Sequence, residues 1–86
     1  MYQSTITITL RPSILDVQGK AVEHSIHTLG MGEVNNVRIG KSIHMTVDAK
    51  SEEEAKRITE EACRRLLANP VMEDYTFTVK KVWAQR

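Results

Sequence analysis

Two histidines, His24 and His27, stand three residues apart in a segment with helical periodicity, and side chains at that spacing can share a metal ion. A protein metal site needs a third and usually a fourth ligand, and no cysteine or acidic cluster is spaced to supply them. Glu23 is adjacent in sequence but points about 100° away on a helix. We therefore predict no metal ion here and place both histidines on a polar or interface face.

Cys63 is the one cysteine, so the chain forms no internal disulfide. A single cysteine without a disulfide is typical of proteins in a reducing compartment, and we therefore expect a cytoplasmic protein. The helical neighbours Glu60 and Arg64 supply no base that would generate a thiolate nucleophile. We predict that Cys63 is a small, buried, unreactive side chain.

The acidic clusters at residues 52–54 and 60–61 resemble paired carboxylates for acid–base chemistry. Four of these glutamates, however, have a basic residue four positions later, and such pairs stabilise an exposed helix by about 0.2–0.5 kcal/mol each. The predicted pairs are Glu52–Lys56, Glu53–Arg57, Glu60–Arg64 and Glu61–Arg65. We interpret the clusters as an ion-paired surface. With no Gly-rich phosphate loop and no Ser-His-Asp order, the sequence predicts no catalytic residue in this chain.

Composition limits the classes of partner. The 86 residues include 12 Lys and Arg against 11 Asp and Glu, a formal net charge of +1. Binding to nucleic acid or to a membrane surface usually needs a basic stripe, so neither is predicted. We predict one domain over residues 1–86, with a core from about 2 to 82 and a short tail at 83–86. A domain of this size buries only about 60–65% of its unfolded surface, which favours oligomerisation.

The elements that must position these residues begin with a strand over Thr5–Leu10, where Thr alternates with Ile or Leu. A helix follows, from an N-cap at Asp16 to Gly30 just past its end. Gly19 weakens its first turn by about 1 kcal/mol relative to Ala. The apolar face of this helix consists of Ala21, Val22, Ser25, Ile26 and Leu29.

The apolar and polar pattern of residues 33–48 predicts two further strands, one on each side of Gly40. The apolar set stays on one face when Ile39 opposes Ile43, which requires a three-residue connection or a bulge. That register places Arg38 beside His44 on the outer face.

The second helix is predicted to start at Ser51, with Glu54 completing a capping box. It ends before Asn69, because the residue preceding a proline avoids the helical region. The predicted buried stripe consists of Ala55, Ile58, Ala62 and Leu66, flanked by Cys63 and Leu67. In the last predicted strand, apolar and polar residues alternate from Tyr75 onward, and Trp83 falls on an apolar position of the same alternation.

The order β-α-β-β-α-β predicts an α+β, ferredoxin-like fold, with two helices on one face of a four-stranded antiparallel sheet. Polar side chains then line the other face: Thr5, Thr7, Thr9, Arg38, His44, Thr46, Thr76, Thr78 and Lys80. A threonine-rich face tolerates water and also suits a partner. Together with the small core, it leads us to expect a homodimer.

Three motifs follow one another at residues 15–30 (L-D-V-Q-G-K-A-V-E-H-S-I-H-T-L-G), 34–41 (V-N-N-V-R-I-G-K) and 66–75 (L-L-A-N-P-V-M-E-D-Y). With them the chain resembles, from about residue 2 to 82, the PurS family, the small subunit of phosphoribosylformylglycinamidine (FGAM) synthase. The resemblance implies a non-catalytic accessory subunit of an ATP-dependent glutamine amidotransferase complex in purine biosynthesis. That complex converts formylglycinamide ribonucleotide, glutamine and ATP to FGAM, glutamate, ADP and phosphate.

The resemblance also implies partners. The large synthetase subunit, PurL, uses ATP and Mg²⁺, and the glutaminase subunit, PurQ, releases ammonia from glutamine. The small subunit, as a homodimer whose further association to a tetramer stays open, couples the two and supports ammonia transfer. No cofactor is expected in this chain itself.

The site residues that the resemblance implies have two interpretations. Arg38, Gly40 and Lys41 match the family's V-R-x-G-K and serve the hairpin and partner contacts. Alternatively, Gly40 only permits an unusual backbone angle, while Arg38 and Lys41 are solvated charges. His24 and His27 also match the family pattern, and an interface is a possible place for them.

The competing hypothesis is a stand-alone ferredoxin-like regulatory domain that binds a small ligand at a dimer interface. That class needs a glycine-containing loop between the first strand and the first helix. Here the connection reads R-P-S-I-L at residues 11–15.

Overall fold

A three-stranded antiparallel sheet forms within residues 1–82, the part of the chain that the computed structural model describes. The central strand, β1 (Tyr2–Leu10), lies between β2 (Gly40–Val47) and β3 (Glu73–Lys81). The predicted first strand is confirmed and begins earlier than expected, at Tyr2. The predicted continuation of the last strand to Trp83, and the tail at 83–86, lie outside the described residues.

The register of the sheet separates an apolar inner face from a polar outer face. Ile6 opposes Ile43 on β2 and Phe77 on β3, so these three side chains share the inner face. The outer face carries the predicted polar set apart from Arg38: Thr5, Thr7, Thr9, His44, Thr46, Thr76, Thr78 and Lys80. Most of these side chains are exposed.

The first helix begins and ends where its caps were predicted, and the second begins at its predicted cap. In α1 (Val17–Thr28), the Asp16 carboxylate accepts the Gly19 N–H at 2.8 Å, and Gly30 follows the helix with a φ of +96°. In α2 (Glu52–Ala62), the Ser51 hydroxyl accepts the Glu54 N–H at 3.1 Å. The Glu54 carboxylate accepts the N–H of Lys50, one residue before the donor of a standard capping box.

A π-helical turn, Cys63–Leu67, extends α2, and the Ala68 N–H donates to the Cys63 carbonyl at 3.0 Å. Because such a turn inserts an extra residue into the helix, it rotates every later side chain around the axis. The prediction that Leu66 is buried is therefore wrong, since its side chain is 81% exposed. Ala55 and Cys63 are fully buried, as predicted, and Thr59 joins them.

The core lies between α2 and the inner face of the sheet, where Ile6 and Ile8 are fully buried. Ser4 and Thr59 are also fully buried, and their hydroxyl oxygens lie 2.6 Å apart. The Thr59 hydroxyl donates to the Ala55 carbonyl, so Ser4 must donate to Thr59. This hydrogen bond satisfies the hydroxyl groups that β1 and α2 bring into the core.

The surface of α2 carries two of the four predicted ion pairs, Glu52–Lys56 at 3.2 Å and Glu61–Arg65 at 3.1 Å. The other two pairs were predicted wrongly. Arg57 approaches Glu61 at 3.7 Å instead of Glu53, and the Glu60 carboxylate accepts the hydroxyl of Tyr75 on β3. That contact ties α2 to the sheet, so Glu60 does not pair with Arg64.

The prediction of two helices on the sheet is wrong for the described chain. Within residues 1–82, α2 packs on all three strands, whereas α1 has no extended contact with any strand. The helix belongs to an arm, residues 11–39, that projects from the end of the sheet. The Cα radius of gyration is accordingly 16.5 Å, against about 12 Å for a compact chain of this length.

The predicted fourth strand is also not formed in the part of the chain that the structure describes. Residues 33–39 return along α1, and the N–H groups of Val37 and Ile39 donate to carboxylates of the helical arm. Asn36, with a φ of +59°, departs from the extended backbone of a strand. Without the hairpin, Arg38 does not lie beside His44, which is opposite Thr5.

Candidate functional site

Asp16 is the centre of the junction at which the arm joins the sheet. One carboxylate oxygen accepts the Gly19 N–H at 2.8 Å, and the other accepts the Ile39 N–H at 2.6 Å. The side chain is 5% exposed. The hydrogen bonds from Ile39 and Gly19, with the charge of Arg38, hold the pKa of Asp16 below its usual range. The sequence predicted the cap, whereas the bond to Ile39 is tertiary and has no local signal.

Gly19 lets the return segment approach the helix. A Cβ at this position would overlap the carbonyl oxygen of Val37 and would lie 2.7 Å from an Asp16 carboxylate oxygen. The absence of a side chain is therefore a packing requirement. One turn further along the helix, the Glu23 carboxylate accepts the Val37 N–H at 3.2 Å.

Arg38 fixes the connection between β1 and α1. One guanidinium nitrogen donates to the carbonyls of Leu10, Arg11 and Ile14 at 3.4, 2.9 and 3.0 Å. The hairpin predicted for Arg38 is not formed in the described chain, and the guanidinium is not freely solvated; its predicted contact with a partner stays a prediction. The side chain is exposed, and its Nη2 group binds the chain's own backbone.

Gly40 and Lys41 lie at the start of β2. A Cβ on Gly40 would lie 2.6 Å from the Ile8 carbonyl oxygen, so close strand pairing requires glycine here. The Lys41 ammonium lies 3.8 Å from the Glu73 carboxylate, which also accepts the Asn69 N–H at 2.7 Å. Lys41 thus links β2 to the start of β3, although an exposed ion pair contributes little to stability.

His24 and His27 do not converge on a common ligand. A His27 ring nitrogen, Nε2, lies 2.6 Å from the Val34 carbonyl oxygen and donates to it, which closes the turn after α1. The His24 side chain is exposed on the helix. Within residues 1–82, no group of three His, Cys, Asp or Glu side chains is arranged to hold a metal ion.

Cys63 is the remaining candidate for chemistry, and it is fully buried as a free thiol. Burial and the nearby Glu60 carboxylate raise the pKa of this thiol. The predicted burial of Cys63 is thus confirmed, and a neutral, inaccessible sulfur is unsuited to nucleophilic attack.

A surface groove of about 450 Å³ borders the junction. Its lining consists of Thr9, Leu10, Pro12, Asn36, Arg38 and Asp74. Thr9 and Asp74 oppose each other across β1 and β3, but the Asp74 carboxylate lies 3.4 Å from the Arg11 guanidinium. One nitrogen of the Arg38 guanidinium already binds backbone carbonyls. The arrangement can position the arm and present a surface. From Met1 to Val82, no helix is long and apolar enough to cross a membrane.

Residues 3–81 match the family model for PurS, phosphoribosylformylglycinamidine (FGAM) synthase. The PurS subunit of FGAM synthase from Bacillus subtilis is 42% identical over 99% of this chain and 100% of its own. The PurS subunit from Methanocaldococcus jannaschii is 35% identical over 95% of this chain and 99% of its own.

Solved structures give the same result. The crystal structure of Methanocaldococcus jannaschii PurS covers 96% of this chain and 100% of its own, with a TM-score of 0.87 and 35% identity. A chain of the PurLQS structure from Thermotoga maritima covers 91% of this chain and 95% of its own, with a TM-score of 0.85 and 33% identity. The arm is about a third of the described residues. Such TM-scores are therefore reached only when the relatives hold the arm in the same place. The chain belongs to the PurS family and is a subunit of FGAM synthase, an enzyme of purine biosynthesis.

Proposed function

We propose that this chain performs no chemistry itself and couples the glutaminase subunit to the ATP-dependent synthetase subunit of FGAM synthase. One observation carries the proposal: the polar groups suited to chemistry serve the chain's own structure. Asp16 and Arg38 bind backbone groups of the junction, His27 closes a turn, and Cys63 is buried. The surfaces that remain are suited to docking.

The partners in this proposal are PurL and PurQ. The Thermotoga maritima structure that superposes on this chain is described as PurLQS. In the coupling role, the synthetase subunit binds ATP and Mg²⁺, and this chain holds no cofactor. Ammonia that escapes into water is protonated and lost to the reaction, so a sealed transfer between subunits has chemical value.

The coupling subunit is proposed to act in the cytoplasm as a homodimer. Support for the dimer comes from α1, which no other element of the described chain covers, and from apolar side chains that face solvent. Leu29, near the end of α1, is 75% exposed, and Leu15 and Val17 near its start are also exposed. A second chain that covers them adds the core that one small domain lacks.

The alternative, a regulatory domain that binds a small ligand, is less well supported. It requires free backbone groups in the connection between β1 and α1. The carbonyls of Leu10, Arg11 and Ile14 already accept hydrogen bonds from Arg38. Saturable binding of an amino acid to the isolated protein would favour this alternative.

The test measures FGAM formation by the PurL and PurQ subunits with and without this chain, with either glutamine or ammonia as nitrogen donor. We expect glutamine-driven turnover to require the chain and ammonia-driven turnover to be independent of it. A matched pair of variants, Gly19→Ala and Gly32→Ala, links the result to the arm. A Cβ meets the return segment at Gly19, but it meets nothing within 4 Å at Gly32.

Gly19→Ala is expected to reduce glutamine-driven turnover, while Gly32→Ala leaves it unchanged. Equal glutamine-driven rates with and without the chain would overturn the coupling role.

A further inference from the structure

The outer edge of β3 is unpaired in the part of the chain that the structure describes, because β3 lies at one side of the sheet with β1 as its neighbour. Two hydrogen bonds just beyond the ends of β3 show which of its residues face β1. The Arg11 N–H donates to the Met72 carbonyl at 2.8 Å. At the other end, the Val82 N–H donates to the Met1 carbonyl at 3.0 Å. Hydrogen-bonded pairs of antiparallel strands recur at every second residue, so the even-numbered residues of β3 bond to β1.

The odd-numbered residues of β3 therefore direct their N–H and C=O groups away from the sheet. Three of them, Tyr75, Phe77 and Val79, occupy the middle of the strand. Within residues 1–82, no backbone or side-chain group forms a hydrogen bond with these outward groups. Each residue offers one donor and one acceptor, so a strand that pairs with all three forms about six hydrogen bonds.

The sequence of β3 leaves this edge without protection. Natural sheets block their edges with prolines, bulges or charged side chains. β3 is nine residues long, contains no proline and pairs with β1 in a continuous register. Its charged residues lie at its two ends, and the middle, Tyr75–Val79, consists of aromatic and β-branched residues that favour strand pairing. A long, flat edge of this kind invites another strand, which indicates that a partner covers it in the assembled protein.

The side chains at the edge define the segment that fits it. Tyr75, Phe77 and Val79 point to the inner face of the sheet but are only half-buried. Thr76 and Thr78 are exposed on the outer face. Because side chains of neighbouring strands share a face, a segment with apolar residues inward and polar residues outward buries the first set further.

The end of β3 defines the charge of that segment. Lys80 and Lys81 are adjacent and exposed, and none of the ion pairs within residues 1–82 includes them. Carboxylates on the incoming segment complement this pair of cations. A second copy is less suitable, since antiparallel pairing of two β3 edges brings Asp74 and Glu73 to the lysines. These carboxylates already lie beside cations of their own chain.

The position of the edge separates it from the surface proposed for the homodimer. The arm ends at residue 39, directly before β2, and β2 forms the opposite side of the sheet. A strand that pairs with β3 therefore leaves the arm and α1 accessible to a second copy.

We propose that the β3 edge receives an extended segment of PurL, the ATP-dependent synthetase subunit, as a fourth strand of the sheet. This inference rests on the proposed coupling function and specifies how the chain is anchored. PurL is the assigned partner because it consumes the ammonia, so the coupling subunit has to remain bound to it throughout the reaction. Main-chain hydrogen bonds to Tyr75, Phe77 and Val79 supply affinity, while apolar residues and carboxylates on the segment supply specificity.

Hydrogen exchange of single amides, measured by mass spectrometry with fragmentation, tests the pairing in the native proteins. The chain is compared alone, with PurL and with PurQ, under the conditions of the turnover assay. The N–H groups of Tyr75, Phe77 and Val79 are expected to exchange fast in the isolated chain and about tenfold or more slowly with PurL. Those of Thr76 and Thr78 bond to β1 in every state and serve as internal controls.

Two pairs of variants test the contact through its affinity for PurL. Val79→Pro removes one outward N–H and no bond to β1, whereas Val79→Ala keeps that N–H and shortens the same side chain. We expect Val79→Pro to raise Kd about tenfold more than Val79→Ala, with circular dichroism to show that both fold. Lys80→Glu is expected to raise Kd about tenfold, while the same change at Lys50, an exposed residue outside the sheet, leaves Kd unchanged.

Three results of the exchange experiment overturn the proposal. Edge amides that stay fast with PurL show that no strand is added. Edge amides that are already slow in the isolated chain assign the edge to a second copy, and edge amides that slow only with PurQ assign it to the glutaminase subunit. The turnover assay separates these failures from a failure of the proposed function. A chain that glutamine-driven turnover requires still couples the two subunits, whereas equal rates with and without the chain overturn the coupling itself.

Discussion

Replacing Gly19 with alanine is expected to destabilise the protein, although alanine is the better helix former. In an ordinary helix the substitution stabilises by about 1 kcal/mol. Here the new methyl group would overlap the Val37 carbonyl oxygen, and an Asp16 carboxylate oxygen lies 2.7 Å from its position. The obstructing atoms belong to a backbone segment and to a side chain engaged in two hydrogen bonds, so neither moves freely.

The magnitude follows from the balance of two effects. Overpacking of a methyl group costs about 1–3 kcal/mol, and withdrawal of the return segment also lengthens the 2.6 Å bond from Ile39 to Asp16. Against the helical gain of about 1 kcal/mol, overpacking alone leaves a loss of about 0–2 kcal/mol. The weakened hydrogen bond adds about 0.5–1.5 kcal/mol, so we expect a net loss of about 1–3 kcal/mol. For a domain of this size, each kcal/mol lowers Tm by about 4–8 °C.

The assay is urea unfolding followed by circular dichroism, at one protein concentration because a homodimer's stability depends on it. Gly32→Ala is the matched control, since a Cβ there meets no atom within 4 Å. Its free energy of unfolding is expected to stay unchanged or to rise by up to about 1 kcal/mol. A Gly19→Ala protein as stable as the Gly32→Ala protein would refute the close approach of Val37 to α1.

Two further predictions concern the core. Thr59→Val is expected to cost about 1–3 kcal/mol because it leaves the Ser4 hydroxyl buried without an acceptor, whereas Ser4→Ala costs less since Thr59 still donates to Ala55. Urea midpoints of the two variants and of the double variant measure this, and equal losses from both single variants would contradict the assigned donor direction. The raised pKa of Cys63 means that the unfolded chain releases the thiol proton first, so stability falls as pH rises above about 8.5. Unfolding at about pH 7 and about pH 9.5, on either side of that value, tests this, and Cys63→Ala should weaken the pH dependence; an unchanged dependence would contradict the prediction.

Features set by a few neighbouring residues were predicted well from the sequence. The cap at Asp16, Gly30 after α1 and the Ser51 cap of α2 depend on side chains within four residues of the helix end. The alternation of β1 and β3 likewise places Ile6 and Phe77 on one face without knowledge of the topology. These elements are correct because the chemistry that forms them is local.

The features that the sequence did not predict depend on contacts between distant residues. The π-helical turn at Cys63–Leu67 gives no local signal, yet it moves Leu66 out of the core. Gly19 was interpreted as a weakness of the helix, because its function depends on Val37, 18 positions away. Arg38 was predicted to lie on a sheet. Its actual hydrogen-bond acceptors are backbone carbonyls of the β1–α1 connection, and a pattern of side-chain types gives no information about them.

The error over α1 has a different cause from the others. Its apolar face was interpreted correctly, since Ala21, Val22, Ser25, Ile26 and Leu29 do lie on one side of a real helix. A hydrophobic pattern indicates which side chains are buried in the functional protein, but it does not indicate whether the same chain or another chain buries them. An amphipathic helix that finds no place on the sheet of its own described chain is therefore evidence about assembly, and the exposed apolar side of α1 supports the proposed homodimer.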